Sequence, residues 1–323
     1  MSAYKSILLT GGGGFVGRYL SAALAKNYPS AHRVILYQAA PTDPVPGWEA
    51  LVADLTDESA IEAAIAALGP DLIVHLAAQS SVGQVALLGE TTWRVNLGGT
   101  LALARAVARH APRSTFFFAS TSEVYGASFN DGIATEETPL RPLNAYSSSK
   151  AAAEQVLRDV LPQETRLIAT RSFNHTGPGQ DERFVLPAFA AQIARIEAGL
   201  IPPVLRVGNL DAKRDFLDVR DVVDAYCRLI SLEMDLPSAL TVNVASGKAV
   251  MIGDILQSLR ALSRVAFEVQ VDPTRLRPSD IPRAVGDATR LRDLTGWTPK
   301  HPAEHTRLAL LDWWRARVVA ETR

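Results

Sequence analysis

Short apolar runs alternate with helix-length amphipathic stretches through the first half of the chain. Ser6 to Leu9, Val34 to Tyr37, Asp71 to Leu76, Ser114 to Phe118 and Arg166 to Thr170 read as buried strands. Phe15 to Lys26, Ile61 to Leu68, Leu101 to His110 and Tyr146 to Leu161 read as helices, the last closed by Pro162. Buried strands separated by helices predict an α/β protein built on a parallel, doubly wound sheet. From about Phe173 the pattern loosens, with Pro and Gly clusters at TGPGQ and GLIPPV and helices between them. This predicts a smaller second region, with Asp221 to Leu232 and Thr241 to Val244 returning to the first. The expected division is 1–172 plus about 215–246 for a dinucleotide-binding domain, and 173–214 plus 247–323 for the second region. The chain shows no repeat and no low-complexity tract.

Composition narrows the function classes. The 323 residues, 47% of them hydrophobic, suffice for one large domain or two modest ones. The 33 basic and 34 acidic residues leave a net charge of −1, so no global field recruits nucleic acid or an anionic membrane. Any phosphate affinity must be a local arrangement. The single cysteine, Cys227, excludes an intrachain disulfide and suits a reducing compartment. No apolar run approaches the roughly 18 residues of a membrane span. The start, MSAYKSILLTG, enters a strand pattern directly and leaves no room for a signal peptide. The expectation is a soluble cytoplasmic protein.

Chemistry concentrates in three stretches. LLTGGGGFVG places Gly11, Gly14 and Gly17 after a strand and at a helix start. Glycine lets the backbone turn tightly and approach a pyrophosphate at the helix N-terminus. The second strand ends at Tyr37 and Gln38 with neither an acid for a ribose hydroxyl nor an arginine for a 2′-phosphate, so NAD and NADP both stay open. NAYSSSK sets Tyr146 and Lys150 four residues apart on one helical face. An ammonium near a tyrosine favours the phenolate, so the pair can exchange protons with an alcohol oxygen during hydride transfer. ASTSEVYG brings a hydroxyl, Thr121, next to Ser122 and a carboxylate, Glu123. A hydroxyl suits simple hydride transfer; a following carboxylate also suits elimination of water.

TGGGGFVG, HLAAQS, ASTSEVYG and YSSSK together resemble the extended short-chain dehydrogenase/reductase family, which acts on nucleotide sugars, over nearly the whole chain. The resemblance implies a Rossmann-type sheet with a smaller α/β substrate-binding domain, an NAD(P)H coenzyme and a homodimer paired through the helices at 98–110 and 146–160. It makes Thr121 the partner of the substrate's C4 oxygen, Tyr146 the acid/base and Lys150 the holder of the nicotinamide ribose. The coenzyme would meet Gly11, Gly14, Phe15, Val16, Gly17, Gln38, Asp54, Leu55, Leu76, Ala77, Ala78, Asn96 and Phe173. Asp54 also reads as a helix cap, since Leu55-Thr56-Asp57 follow.

FNHTGPGQ, GNLDAKRDFLDVRD and TRLRPSDIP resemble the subset that handles GDP-linked 6-deoxyhexoses: the GDP-4-keto-6-deoxy-D-mannose reductases and the GDP-mannose 4,6-dehydratases. A diphosphate needs fixed cations, which Lys213, Arg214 and either Arg275 or Arg277 supply, Arg277 being preferred. The resemblance places Asn174 with Arg214 on the diphosphate and adds Ser122, Val185 and Asn209 to the sugar and nucleotide pocket. A 4-keto reductase needs hydride, Thr121 and Tyr146. A dehydratase needs a further carboxylate to remove the C5 proton, and Glu123 is the candidate. The later segments favour the reductase, with GDP-D-rhamnose as product; the dehydratase and a 4-epimerase are the alternatives. A dinucleotide-binding sensor or scaffold without turnover is disfavoured by the presence of Thr121, Tyr146 and Lys150 together. His75 reads as a hydrogen-bonded core residue, His175 as a loop organiser and Trp297 as a packing anchor. His301 and His305 have helix-face spacing but no third ligand, so no metal is expected.

Overall fold

A computed structural model describes residues 4–79, 89–232, 239–276 and 281–321 of the chain. Strands β1 (Ser6–Thr10), β2 (His32–Tyr37), β3 (Glu49–Val52), β4 (Leu72–His75), β5 (Thr115–Ala119), β6 (Arg166–Ser172) and β11 (Ala239–Val244) form one parallel sheet in the order β11-β6-β5-β4-β1-β2-β3. The order reverses between β1 and β4, which is where an open α/β sheet leaves a crevice for ligands beyond its strand ends. Helices α1 (Phe15–Asn27), α2 (Glu58–Leu68), α4 (Gly99–His110), α5 (Ala145–Val160) and α7 (Val219–Ile230) cover its two faces. A short helix, α3 (Gly89–Trp93), runs through a π-turn at Arg94–Gly98 into α4.

The apolar runs become central strands because both of their faces are covered. Leu8 with Ile73, Phe116 and Phe118 packs one layer, and Ile7 and Leu9 with Val74 and Phe117 packs the other. β3 was not expected from the sequence. It is a mostly exposed edge strand and carries no buried run to betray it. α2 starts three residues earlier than periodicity indicates, because Asp57 caps it by accepting from Ala60 N at 3.0 Å. α5 ends where Leu161, ahead of Pro162, turns extended. Late in the chain, β11 pairs with β6, and α7 packs beside α1.

The remaining elements are smaller. β7 (Asn174–Thr176) pairs with β10 (Phe216–Asp218), β8 (Val204–Val207) with β13 (Glu268–Val271), and β9 (Lys213–Arg214) lies between β12 (Val250–Met251) and β14 (Arg283–Ala284). Helices α6 (Val185–Glu197), α8 (Ile252–Ala261) and α10 (Ala303–Glu321) share an apolar core of their own, including Phe189, Ile193, Leu256, Leu310 and Trp314. Helix α9 (Thr289–Thr295) leads to Trp297, which is 1% exposed and donates its indole N–H to the Asp221 carbonyl, as a packing anchor should. Among the described residues, no helix is long and apolar enough to cross a membrane.

Candidate active site

Beyond Thr10 the chain turns into α1 through four glycines. Gly11 has φ +72°, and a Cβ there would meet Ala77 N at 2.8 Å; a Cβ on Gly17 would lie 2.1 Å from the Gly11 carbonyl oxygen. The cap of α1 is Gly14, which offers no side-chain hydrogen bond, and the first turn holds no acid. Its uncapped N–H groups therefore keep their affinity for an anion, so this cradle fits a pyrophosphate. Tyr37 borders it: a Cβ on Gly13 would come within 3.2 Å of the Tyr37 ring, and Tyr37 Oη is buried without a partner.

The walls expected around a dinucleotide follow from this turn. Exposed Gln38 donates Nε2–H to Asp54 Oδ2 at 3.1 Å. Asp54 Oδ1 accepts from Thr56 N and Thr56 Oγ1, both at 2.8 Å, and these bonds hold its carboxyl below the usual range. The capping role considered for Asp54 belongs instead to Asp57, three residues nearer the helix. Leu55 is buried between α2 and α4. Leu76 N and Ala77 N donate to the carbonyl and hydroxyl oxygens of Thr10, and Ala78 follows half-buried. Asn96 accepts from Gln79 N at 2.8 Å and donates to Ser149 Oγ at 3.0 Å, so it braces this wall from behind. Phe15 stacks on His175 with rings 6.2 Å apart, while Val16 packs on the core. The Phe173 ring lies in the core against Tyr125 and Phe129, and its carbonyl meets His175 Nδ1 at 2.9 Å. Phe173 thus supports the crevice from below.

Thr121, Tyr146, Glu123 and Lys150 converge at the end of β5. Thr121 caps a 3₁₀ turn at Ser122–Tyr125, its hydroxyl accepting from Glu123 N at 3.2 Å. Asn144 caps α5 in a reciprocal box with Ser147, and donates Nδ2–H to Glu123 Oε2 at 3.2 Å. The Thr121 hydroxyl lies near enough to the Tyr146 phenol to favour its ionised form. The phenol's pKa is raised, by burial first and by the Glu123 charge second, with Thr121 opposing. The lysine-lowered phenol anticipated from the sequence is not realised. Lys150 turns inward: it is 3% exposed, its Nζ lies 4.3 Å from the Phe118 ring centroid, and burial pulls its own pKa down to about 7. Ser122 is buried in the turn.

On the other side of the crevice, half-buried Arg214 donates to the Lys213 carbonyl at 2.8 Å. Burial lowers its pKa and the Glu123 charge raises it, so Arg214 lies within the field of Glu123. Asn174 is exposed on β7, Val185 opens α6, and exposed Asn209 closes a turn by accepting from Asp211 N at 2.8 Å. Arg277 lies outside the described residues.

Residues 8–306 match the family model of the GDP-mannose 4,6 dehydratases. The chain belongs to that family. The GDP-6-deoxy-D-mannose reductase of Pseudomonas aeruginosa is 34% identical over 98% of this chain and 99% of its own length. The GDP-6-deoxy-D-talose 4-dehydrogenase of Aggregatibacter actinomycetemcomitans is 28% identical over 90% of this chain and 91% of its own. The solved structure of RMD from Pseudomonas aeruginosa, complexed with NADPH, superposes with a TM-score of 0.80 at 34% identity, covering 97% of this chain and 100% of that one. The likeness to extended short-chain dehydrogenases/reductases read from the motifs is thus matched in fold.

Within this member of the dehydratase family, two residues at or beside the site escape a reading of the sequence. Asn144 is one, although N-A-Y-S at a helix start is a legible capping signal. Asp215 is another. It is fully buried beside Arg214 and accepts from Ser246 Oγ at 2.5 Å, Ser246 N at 2.8 Å and Gly247 N at 2.9 Å, fastening the loop after β11 beneath β9. Its partners lie some thirty residues away in the chain, so no local pattern announces them.

Proposed function

We propose that this chain is an NAD(P)H-dependent reductase that converts GDP-4-keto-6-deoxy-D-mannose to GDP-D-rhamnose. The observation that carries the reading is its end-to-end likeness to the Pseudomonas aeruginosa GDP-6-deoxy-D-mannose reductase at 34% identity. A nicotinamide, when bound, supplies the hydride for C4. The phenol of Tyr146, kept protonated by burial and by Glu123, gives its proton to the C4 oxygen. Thr121 donates to the same oxygen and polarises the carbonyl. Lys150 holds the nicotinamide ribose. The turn through Gly11, Gly14 and Gly17 takes the pyrophosphate, while Gln38 and Asp54 border the adenosine end. Arg214 and Arg277 neutralise the sugar diphosphate beside Asn174, with Val185 and Asn209 around the nucleotide. The split into a coenzyme domain (1–172 with about 215–246) and a nucleotide-sugar region is supported by the separate apolar core around Phe189 and Trp314. A cytoplasmic homodimer completes the reading.

One observation favours a second reading. Glu123 is held by Asn144 beside Tyr146, where a 4,6-dehydratase needs a carboxylate to remove the C5 proton before the C6 hydroxyl leaves. A paired assay separates the two. GDP-mannose alone goes into one tube, and the 4-keto-6-deoxy sugar with NADPH or NADH into the other. Stoichiometric oxidation of the coenzyme in the second tube, with the first silent, is the expected result. Formation of the 4-keto sugar from GDP-mannose without net coenzyme change would make the protein a dehydratase, and silence in both would sink either reading.

A further inference from the structure

Three elements of the sheet and its cover meet on one carboxylate behind the catalytic groups. Glu154 lies one turn along α5 from Lys150 and is fully buried. Its Oε1 accepts from Ser120 Oγ at 2.5 Å and from Arg171 Nε at 3.1 Å; its Oε2 accepts from Arg171 Nη2 at 2.7 Å and Arg158 Nη2 at 3.4 Å. Ser120 immediately precedes Thr121 at the end of β5, and Arg171 stands on β6. Arg171 is itself 5% exposed and donates to Tyr125 Oη at 3.2 Å and to the Glu136 carbonyl at 3.1 Å. A buried ion pair of this kind is seldom more stabilising than apolar side chains of the same volume, so stability alone is a poor reason for it.

We propose that Glu154 is a positioning residue for the reduction: its carboxylate pins Ser120, and through it Thr121, against α5, and sets a negative charge one helical turn from Lys150. This rests on the reading that Thr121, Tyr146 and Lys150 carry the reaction. Lys150 needs such a counter-charge, because burial against Phe118 disfavours its ammonium and Glu154 works the other way. The other groups around the pair do not replace it. From β4, neutral His75 faces Lys150; from β6, the Arg171 cation shares Glu154; Arg158 and Tyr146 lie on α5 itself; Tyr125 and Glu136 face Arg171. Burial opposes the charge on Arg171 as well, and Glu154 overcomes it by hydrogen bond and charge. Removing the carboxylate charge would leave Lys150 with burial alone. Its proton would then be lost at lower pH, and the alkaline limb of the activity would move down with it.

The test compares Glu154→Gln, which removes the charge, with Ser120→Ala, which removes one hydrogen bond and keeps the charge. Two readouts are taken on the full chain: the pH profile of kcat/KM for the 4-keto sugar, and the titration of Lys150 followed by NMR of 13Cε-labelled lysine, assigned with Lys150→Met. In Glu154→Gln, both the Lys150 titration and the alkaline limb should fall by at least about half a pH unit, a roughly threefold change in proton affinity. In Ser120→Ala the titration should stay in place, while kcat falls about threefold to tenfold with NADPH affinity unchanged. An unmoved Lys150 titration in folded Glu154→Gln overturns the electrostatic claim, and an unchanged kcat in Ser120→Ala overturns the claim about Thr121. If Glu154→Gln does not fold, Glu154→Asp keeps the charge and shortens the reach: the limb should hold and kcat should fall, and a shifted limb would overturn the proposal. A wild type that reduces no keto sugar defeats the reductase reading alone, since the lysine titration still decides the role of Glu154.

Discussion

Tyr146 stays protonated at neutral pH, since burial and Glu123 raise the cost of the phenolate, so it keeps the proton that the proposed reduction uses. Removing the hydroxyl removes the proton without disturbing the helix cap. Tyr146→Phe should therefore lower kcat by about 10²–10⁴-fold with little change in KM, read by steady-state oxidation of NADPH. The glycine turn makes a different prediction. A methyl group on Gly17 would collide with the Gly11 carbonyl oxygen, which is backbone and cannot swing aside. Gly17→Ala should cost coenzyme affinity at least tenfold in a fluorescence titration, and an unchanged affinity would argue against the pyrophosphate cradle. At this scale the sequence was informative wherever chemistry follows spacing. Tyr146 and Lys150, or Gly11, Gly14 and Gly17, are near neighbours whose geometry follows from a helix or a turn. The direction of the tyrosine shift is not legible at this scale, because burial and the Glu123 charge, both products of the fold, set it.

Helix α5 links the residues to the sheet. Asn144 both caps it and holds Glu123, so Asn144→Ala should lower stability by about 1 kcal/mol in urea unfolding and reduce activity as well. A stability loss with full activity would show that Glu123 needs no such support. Strand β4 ends in His75, fully buried between Thr10 and Thr100 at 2.7 and 3.0 Å. Burial first, and the Lys150 charge second, push its pKa from 6.5 down to about 3. The unfolded chain takes up a proton there near pH 6.5 and the folded chain only near 3, so stability should fall as pH drops through that window. The expected slope is about 1.4 kcal/mol per pH unit from this group, and it should flatten in His75→Gln when urea midpoints are followed from pH 6.5 to 4.5. The strands and helices flanking the crevice were legible because each buries a continuous stripe or run. β3 was not, since an exposed edge strand carries no such run.

For the molecule as a whole, a ligand that binds only the folded state must raise its stability. NADPH at a hundred times its Kd should add about 2.7 kcal/mol to the unfolding free energy, and the comparison with NADH in a thermal melt reports the preference at the 2′ position. The proposed dimer predicts a sedimenting mass twice that of the chain. Half-exposed Leu101, Ala108, Ala151 and Ala152 on α4 and α5 offer it an apolar patch. A monomer at micromolar concentration would reject that part of the reading.

The sequence alone determined the doubly wound sheet, the glycine turn, the Tyr-Lys pair and the family, because each is written in short-range periodicity or in motifs a few residues long. Tertiary structure decided what those motifs meet. Arg214 comes into the field of Glu123, Asp215 fastens a loop thirty residues away, and Glu154 joins Ser120 to Arg171 across two strands and a helix. The physical reason is that a buried charge must be satisfied by whatever the fold brings within about 3 Å, and that neighbourhood is set by strand order rather than by position along the chain.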